Sequence, residues 1–167
     1  MFTGAFPLTI DAKNRLSIPY VVRDRMMREA DGKSLYVVPG RRRGTLALYA
    51  DRYYERTRQT FLTERVSDAT YAWVQFEYSQ AALLDADNQG RVLLPDRLLK
   101  RAGLDREVTL IGVHDHLELW NRSAFEEYEE QRWNAPTYEQ DRFAALQELQ
   151  QLGIVTTPAP AEIPAAS

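Results

Sequence analysis

Two arginines in this chain each stand four residues after an aspartate, in segments that match one another. The first segment is DAKNRLSIP, residues 11–19, and the second is DNQGRVLLP, residues 87–95. Asp11 and Asp87, Arg15 and Arg91, and Pro19 and Pro95 coincide at a spacing of 76 residues. An aspartate at the start of a tight turn can accept a hydrogen bond from the backbone N–H two residues on. Glycine or asparagine near the end of such a turn tolerates positive φ, and Asn14 and Gly90 hold that position. The turn then delivers an arginine at its exit. The planar guanidinium offers five donors in a fork suited to a phosphate or to the O6/N7 edge of guanine. Lys13 adds a cation to the first turn, where the second has the neutral amide of Gln89. For either arginine alone, an ion pair that stiffens a hairpin is an adequate account. The repetition points further, to two arginines that grip a nucleic-acid duplex at two places.

The elements around the turns repeat as well. Phe6, Leu8 and Ile10 alternate before the first turn and Leu16 and Ile18 after it, so this stretch reads as a β-hairpin. Pro19 ends the strand and opens a short helix that closes near Gly32. SLYVV (34–38) and TLALY (45–49) read as strands joined by PGRRRG. Leu84, Ala86, Val92 and Leu94 then stand where Leu8, Ile10, Leu16 and Ile18 stood. DRLLKRAG is a second short helix, with Asp96 in its first turn, Lys100 and Arg101 in its last, and Gly103 after it. EVTLIGV and LELW are the second pair of strands. Leu117, Leu119, Trp120, Phe125 and Glu126 match Leu46, Leu48, Tyr49, Tyr54 and Glu55 at an offset of 71, as a shortened loop would produce.

The chain therefore divides into a first copy (1–58), a helical connection (59–79), a second copy (80–128), a C-terminal helical segment (129–152) and a Pro/Ala-rich tail (153–167) expected to be disordered. Each copy is too short to bury a good core alone, so the two are expected to share one. Within the connection, helices are expected over 51–63 and 68–79, carrying Tyr53, Tyr54, Phe61, Tyr71, Trp73, Phe76 and Tyr78. These aromatics suit either subunit interfaces or packing on their own sheet.

Composition bounds the class. The 167 residues are 44% hydrophobic and 27% charged, as in globular proteins with a real core. There is no cysteine, hence no disulfide framework and no thiolate metal site. No basic leader followed by an apolar run is visible, and no stretch approaches the roughly 20 apolar residues of a membrane span. A cytoplasmic protein with no membrane association is expected. The net charge is −3, but residues 1–58 hold 12 Lys+Arg against 6 Asp+Glu, and residues 59–167 hold 9 against 18. Such asymmetry suggests one face for a polyanion and another that is solvated.

The opening MFTG, the turns DAKNR and DNQGR with SIP and LLP after them, and AGLDREVTLIGVHDHLELW resemble the MraZ family over roughly residues 1–130. That family comprises bacterial transcriptional regulators built from two AbrB/SpoVT-type repeats, each marked by a D-x-x-x-R turn. The resemblance implies an α+β fold, a pseudo-symmetric swapped-hairpin β-barrel with helices outside, and a ring-like, octamer-like homo-oligomer. It implies double-stranded promoter DNA as partner: short G-rich direct repeats upstream of the division and cell-wall gene cluster, the protein's own promoter included, usually with repression. It implies a nucleoid-associated, non-enzymatic protein with no cofactor. Its DNA contacts would fall on Arg15 and Arg91, with Lys13 and Asn14 nearby and Asp11, Asp87 and Gly90 forming the turns. Two positions depart from the family pattern: Asn14 replaces the usual glycine, and Thr3 stands where a basic residue is common.

Other motifs point less far. His114 and His116 in HDH are the only histidines and lack an evident third ligand for a catalytic zinc, so a hairpin loop is the expectation. Asp85 and Asp87 share a face of an extended segment, but turn and strand account for them. No nucleophile triad and no glycine-rich phosphate loop is legible. Arg41, Arg42 and Arg43 form a basic loop suited to phosphates or to solvent.

Overall fold

The alternating apolar residues of the sequence become eight short strands in the computed structural model, which describes residues 1–28, 32–58 and 66–154. The fold is α+β. In chain order the first unit holds β1 (Ala5–Thr9), β2 (Arg15–Ser17), α1 (Tyr20–Arg28), β3 (Leu35–Pro39), β4 (Thr45–Ala50), α2 (Asp51–Arg58) and α3 (Asp68–Gln80). It continues with β5 (Ala82–Leu84), β6 (Arg91–Leu93), α4 (Asp96–Ala102), β7 (Glu107–Val113) and β8 (His116–Asn121). The two compact units are Met1–Glu126 and Glu127–Ser167. Helix α5 (Arg122–Trp133) begins in the first, and α6 (Tyr138–Gln151) lies in the second. Within the second unit Trp133 stacks on Tyr138 and Arg132 faces Asp141 at 3.5 Å.

Six strands form one antiparallel sheet in the order β1-β7-β8-β4-β3-β5, and β2 pairs only with β6. The expected hairpin between β1 and β2 is not formed. The turn between them closes, but β1 then pairs with β7 of the second copy, Leu8 opposite Val108. Likewise β5 pairs with β3 of the first copy, Leu84 opposite Leu35. Each copy thus lends its first strand to the other. The expected closed barrel is not met by the hydrogen bonding either. Among the described residues β1 and β5 remain sheet edges, and the β2–β6 ribbon is separate. The tight turns before β2 and β6 and the prolines after them hold each strand to three residues, too short to bridge back to the sheet.

The pairing is symmetric about the repeat. Leu16 faces Val92, its own counterpart at the 76-residue spacing. Ala47 faces Glu118, its counterpart at the 71-residue spacing. Exchange of the copies therefore maps both central pairings onto themselves. The loop Arg41–Gly44 is two residues longer than the turn His114–Asp115 in the second copy, which accounts for part of the change of offset.

One apolar cluster draws on both copies. Leu16 and Val92 from the ribbon, Val22 and Met26 from α1, and Leu98 and Leu99 from α4 meet Val37, Leu48, Leu110 and Leu119 from the sheet. Ala86 departs from the repeat: it is exposed where Ile10 is buried. On the other sheet face Tyr54 of α2 packs with Val38 and Ala47. Ser67 caps α3, its Oγ accepting from the Thr70 N–H at 3.2 Å. Gly103 ends α4 at φ 61°, and Lys100 reaches Asp96 at 2.7 Å along that helix. Of the middle aromatics, Tyr54 is buried, Tyr71, Trp73, Phe76 and Tyr78 are exposed, and Phe61 lies outside the described residues. So do the closure of α1 toward Gly32, the remainder of the helix expected over 51–63, and residues 155–167 of the tail. No described helix is long and apolar enough to cross a membrane.

The strand exchange makes each copy incomplete. A polypeptide of residues 1–58 is expected to give no cooperative thermal unfolding by circular dichroism, since β3 lacks β5 and β1 lacks β7. A sharp transition that does not shift with fragment concentration, and so does not come from two fragments exchanging strands, would contradict the pairing.

Candidate nucleic-acid interface

The two turns are built by the same hydrogen bonds. In the first, Oδ1 of Asp11 accepts from the backbone N–H of Lys13 and of Arg15, both at 2.9 Å, and Oδ2 accepts from Nε of Arg15 at 2.7 Å. The N–H of Asn14 closes onto the Asp11 carbonyl at 3.0 Å, and that of Asp11 onto the Arg15 carbonyl at 2.9 Å. In the second, Oδ1 of Asp87 accepts from Gln89 N–H at 2.9 Å and Arg91 N–H at 3.0 Å, and Oδ2 from Arg91 Nε at 2.9 Å. Gly90 N–H and Asp87 N–H complete the same closure at 2.8 and 2.9 Å. Asn14 (φ 59°) and Gly90 (φ 75°) are both left-handed, as the turn requires.

The backbone N–H of Arg15 and its guanidinium stabilise the Asp11 carboxylate and hold its pKa at about 2. The guanidinium and N–H of Arg91 do the same for Asp87, also at about 2. Both values lie below the ordinary 3.8, so the charged form favours the folded turn. That contribution is complete above about pH 4 and is lost as the pH falls through about 2.

The ion pair is therefore real in both turns, and it uses only part of each arginine. Nη1 and Nη2 of Arg15 have no hydrogen bond to a described residue. Arg91 turns Nη2 as well as Nε toward Asp87, leaving Nη1 without one. Anchoring through Nε orients the guanidinium plane and presents its outer edge.

The register of the ribbon decides what that edge faces. Arg15 lies opposite Leu93, and Ser17 opposite Arg91. Directly opposed and i,i+2 residues share a face. Arg15, Ser17, Arg91 and Leu93 thus form the outer face, while Leu16 (0% exposed) and Val92 (1% exposed) form the inner one. The two arginines stand on one diagonal of this face, roughly 7–8 Å apart at Cα. The turns themselves project from opposite ends of the ribbon, because its strands are antiparallel.

Each turn is braced by the helix of the other copy. A Cβ on Gly90 would meet Cζ of Arg23 at 2.5 Å; Arg23 extends from α1 across the turn, its Nε donating to the Ile18 carbonyl at 3.1 Å. Asn14 instead turns its side chain to Asp96 at the start of α4. The asparagine and glycine of the two turns are thus matched to different neighbours. Arg23 supports one turn without any mark in the sequence; Asp96 and Lys100, legible only as the charged ends of α4, support the other. The i,i+4 spacing of Asp96 and Lys100 was a legible signal; nothing local places Arg23 over Gly90.

The remaining candidates lie elsewhere. His116 stacks on Tyr49, with Nδ1 2.7 Å from Asp115 and Nε2 3.5 Å from Glu118. Burial opposes its charge, but the Glu118 and Asp115 carboxylates outweigh that and raise its pKa. His114 occupies the β7–β8 turn at φ 59°. Among the described residues no group of three His, Cys, Asp or Glu side chains is placed to hold a metal. Asp85 accepts from Ser34 Oγ at 2.5 Å rather than joining Asp87. Arg41, Arg42 and Arg43 line a cleft of about 610 Å³ with Trp73, Phe76 and Arg101.

Fold and site together define a two-repeat α+β protein that presents a pair of aspartate-anchored arginines on a β-ribbon. The MraZ protein family model matches residues 78–147. The transcriptional regulator MraZ of Thioalkalivibrio sulfidiphilus is 32% identical over 126 residues, 75% of this chain and 83% of the relative. That of Paraburkholderia xenovorans is 35% identical over 125 residues, 75% and 85% of the two chains. That of Cupriavidus taiwanensis is 35% identical over 132 residues, 78% and 89%. The chain belongs to the MraZ family.

Two measurements check the turns. Carboxyl carbon titration by NMR is expected to give Asp11 and Asp87 midpoints near 2; midpoints near 3.8 would mean that the turn bonds are absent in solution. Gly90→Ala is expected to cost about 1–2 kcal/mol in urea unfolding, from the left-handed backbone alone, with displacement of Arg23 in addition. Asn14→Gly should stay within about 0.5 kcal/mol.

Proposed function

We propose that this protein is a sequence-specific DNA-binding regulator of transcription that reads the major groove with the outer face of its β2–β6 ribbon. One observation carries the reading: the register sets Arg15 and Arg91 on a single exposed face of a two-stranded ribbon. The major groove of B-DNA admits such a ribbon. Each arginine, held through Nε, offers its remaining N–H groups to O6 and N7 of guanine, and Lys13 and the backbone N–H groups beyond the turn serve phosphates. Asp11, Asp87 and Gly90 form the turns, and Asn14 completes the first. The names of the relatives support regulation of transcription.

The finer features follow the same reading. Residues 1–58 and 80–128 are two AbrB/SpoVT-like repeats joined by the helical segment 59–79, with 129–152 as a helical extension. The strand exchange supports a swapped-hairpin arrangement, with the barrel closed by side-chain packing between ribbon and sheet rather than by hydrogen bonds. Targets are short G-rich direct repeats at the promoter of the division and cell-wall genes, its own included, with repression as the outcome. Several subunits of a ring-like homo-oligomer would engage tandem repeats, so that few contacts per subunit add up through effective concentration. The protein acts on the nucleoid in the cytoplasm and is not an enzyme.

A second reading has its own observation. Both arginines are ion-paired to the aspartate of their turn, as a purely structural role would require. The protein would then be a non-DNA-binding scaffold whose repeats only assemble a ring, or a protein-interaction module whose acidic C-terminal helices recruit a partner.

Binding of a fluorescent duplex from upstream of the gene separates the two. Arg15→Ala and Arg91→Ala are each expected to weaken selective binding by about 1–3 kcal/mol, roughly 5- to 150-fold. Affinity should also fall steeply as salt rises. Salt-independent or absent binding by the folded wild type would favour the scaffold.

A further inference from the structure

The outer ribbon face has four corners, and two of them are arginines. The other two break the repeat: Ser17 in the first copy is matched by Leu93 in the second. Leu93 is 62% exposed, although its neighbours Val92 and Leu94 are 1% exposed. It lies directly across from Arg15, at the usual cross-strand spacing of about 5 Å, and two residues, roughly 7 Å, along β6 from Arg91. Its isobutyl group has no apolar neighbour among the residues of that ribbon face, because the other three corners are Arg15, Ser17 and Arg91.

We infer that Leu93 is a specificity-determining residue that packs on the 5-methyl group of a thymine in the major groove. The inference rests on the DNA-binding reading above. The thymine methyl is the apolar group that a base pair presents in that groove, and apolar side chains are its complement. Arg15 and Arg91 supply hydrogen-bond donors for a guanine edge; Leu93 reads the base pair beside the one that Arg15 reaches. Ser17, at the opposite corner, is short and polar and can bond to any base edge. The pseudo-twofold ribbon therefore carries an asymmetric reading head: arginine–leucine at one end, serine–arginine at the other. Such a head fits a directional half-site and orients each subunit along the duplex.

The test uses the full chain and duplexes that the protein itself selects from a random pool. Each selected duplex is remade with deoxyuridine in place of thymidine, which removes only the 5-methyl groups. Wild type is expected to bind the uracil duplex about fourfold more weakly per contacted methyl. Leu93→Ser, which alters an exposed side chain, should bind both duplexes equally, with an unchanged salt slope because no charge is lost. Ser17→Leu should acquire sensitivity to a second thymine. Equal wild-type binding to the two duplexes overturns the role of Leu93 and leaves the arginines as readers. Uracil sensitivity that persists in Leu93→Ser overturns it too, by assigning the methyl contact elsewhere. A pool that yields no enriched sequence instead removes the DNA-binding reading itself.

Discussion

The arrangement depends on strands that cannot be satisfied within their own repeat. The backbone groups of β1 find partners on β7, and those of β5 on β3, so each copy completes the sheet of the other. A short antiparallel strand left unpaired exposes a row of donors and acceptors. Exchange between the copies pairs one such row on each of β1 and β5, which remain sheet edges on the other side, and it draws the apolar faces of both repeats into one cluster. The central pairs, Leu16 with Val92 and Ala47 with Glu118, follow as the places where the two copies meet on equal terms.

The aspartate turns solve the problem the exchange creates. Between β1 and β2 the chain must leave the sheet, reverse and enter the ribbon within a few residues. One carboxylate accepts two backbone N–H groups and an arginine Nε, and so fixes the reversal and the side chain at its exit together. The ion pair leaves part of each guanidinium uncommitted: Nη1 and Nη2 of Arg15, and Nη1 of Arg91, have no hydrogen bond to a described residue.

The departures from symmetry are as informative as the repeat. A side chain at Gly90 would displace the Arg23 guanidinium that crosses it, whereas Asn14 has room for a side chain and a partner in Asp96. The loop from Arg41 to Gly44 is longer and more basic than its counterpart at His114 and Asp115. A duplicated fold can keep one core while its surface corners diverge, since exposed substitutions cost little stability.

Much of this was legible in the sequence because it is local. An aspartate bonds to N–H groups two and four residues away, and alternation marks the buried face of a strand whatever its partner. The turns at Asp11 and Asp87, the left-handed Asn14 and Gly90, the capping of α3 and the end of α4 at Gly103 were all within reach of such short-range rules. Partnership was not. The stretch around Asp11 reads as a hairpin because a tight turn between two alternating runs is the local signature of one, yet β2 pairs with a strand about 75 residues distant and β1 with one about 100 residues distant. Alternation states that a strand has an inner side and says nothing of which chain segment lies beside it. Only the tertiary structure set Arg15, Ser17, Arg91 and Leu93 on one face and laid Arg23 over Gly90, because those neighbours are chosen by the burial of a core that both repeats must build together.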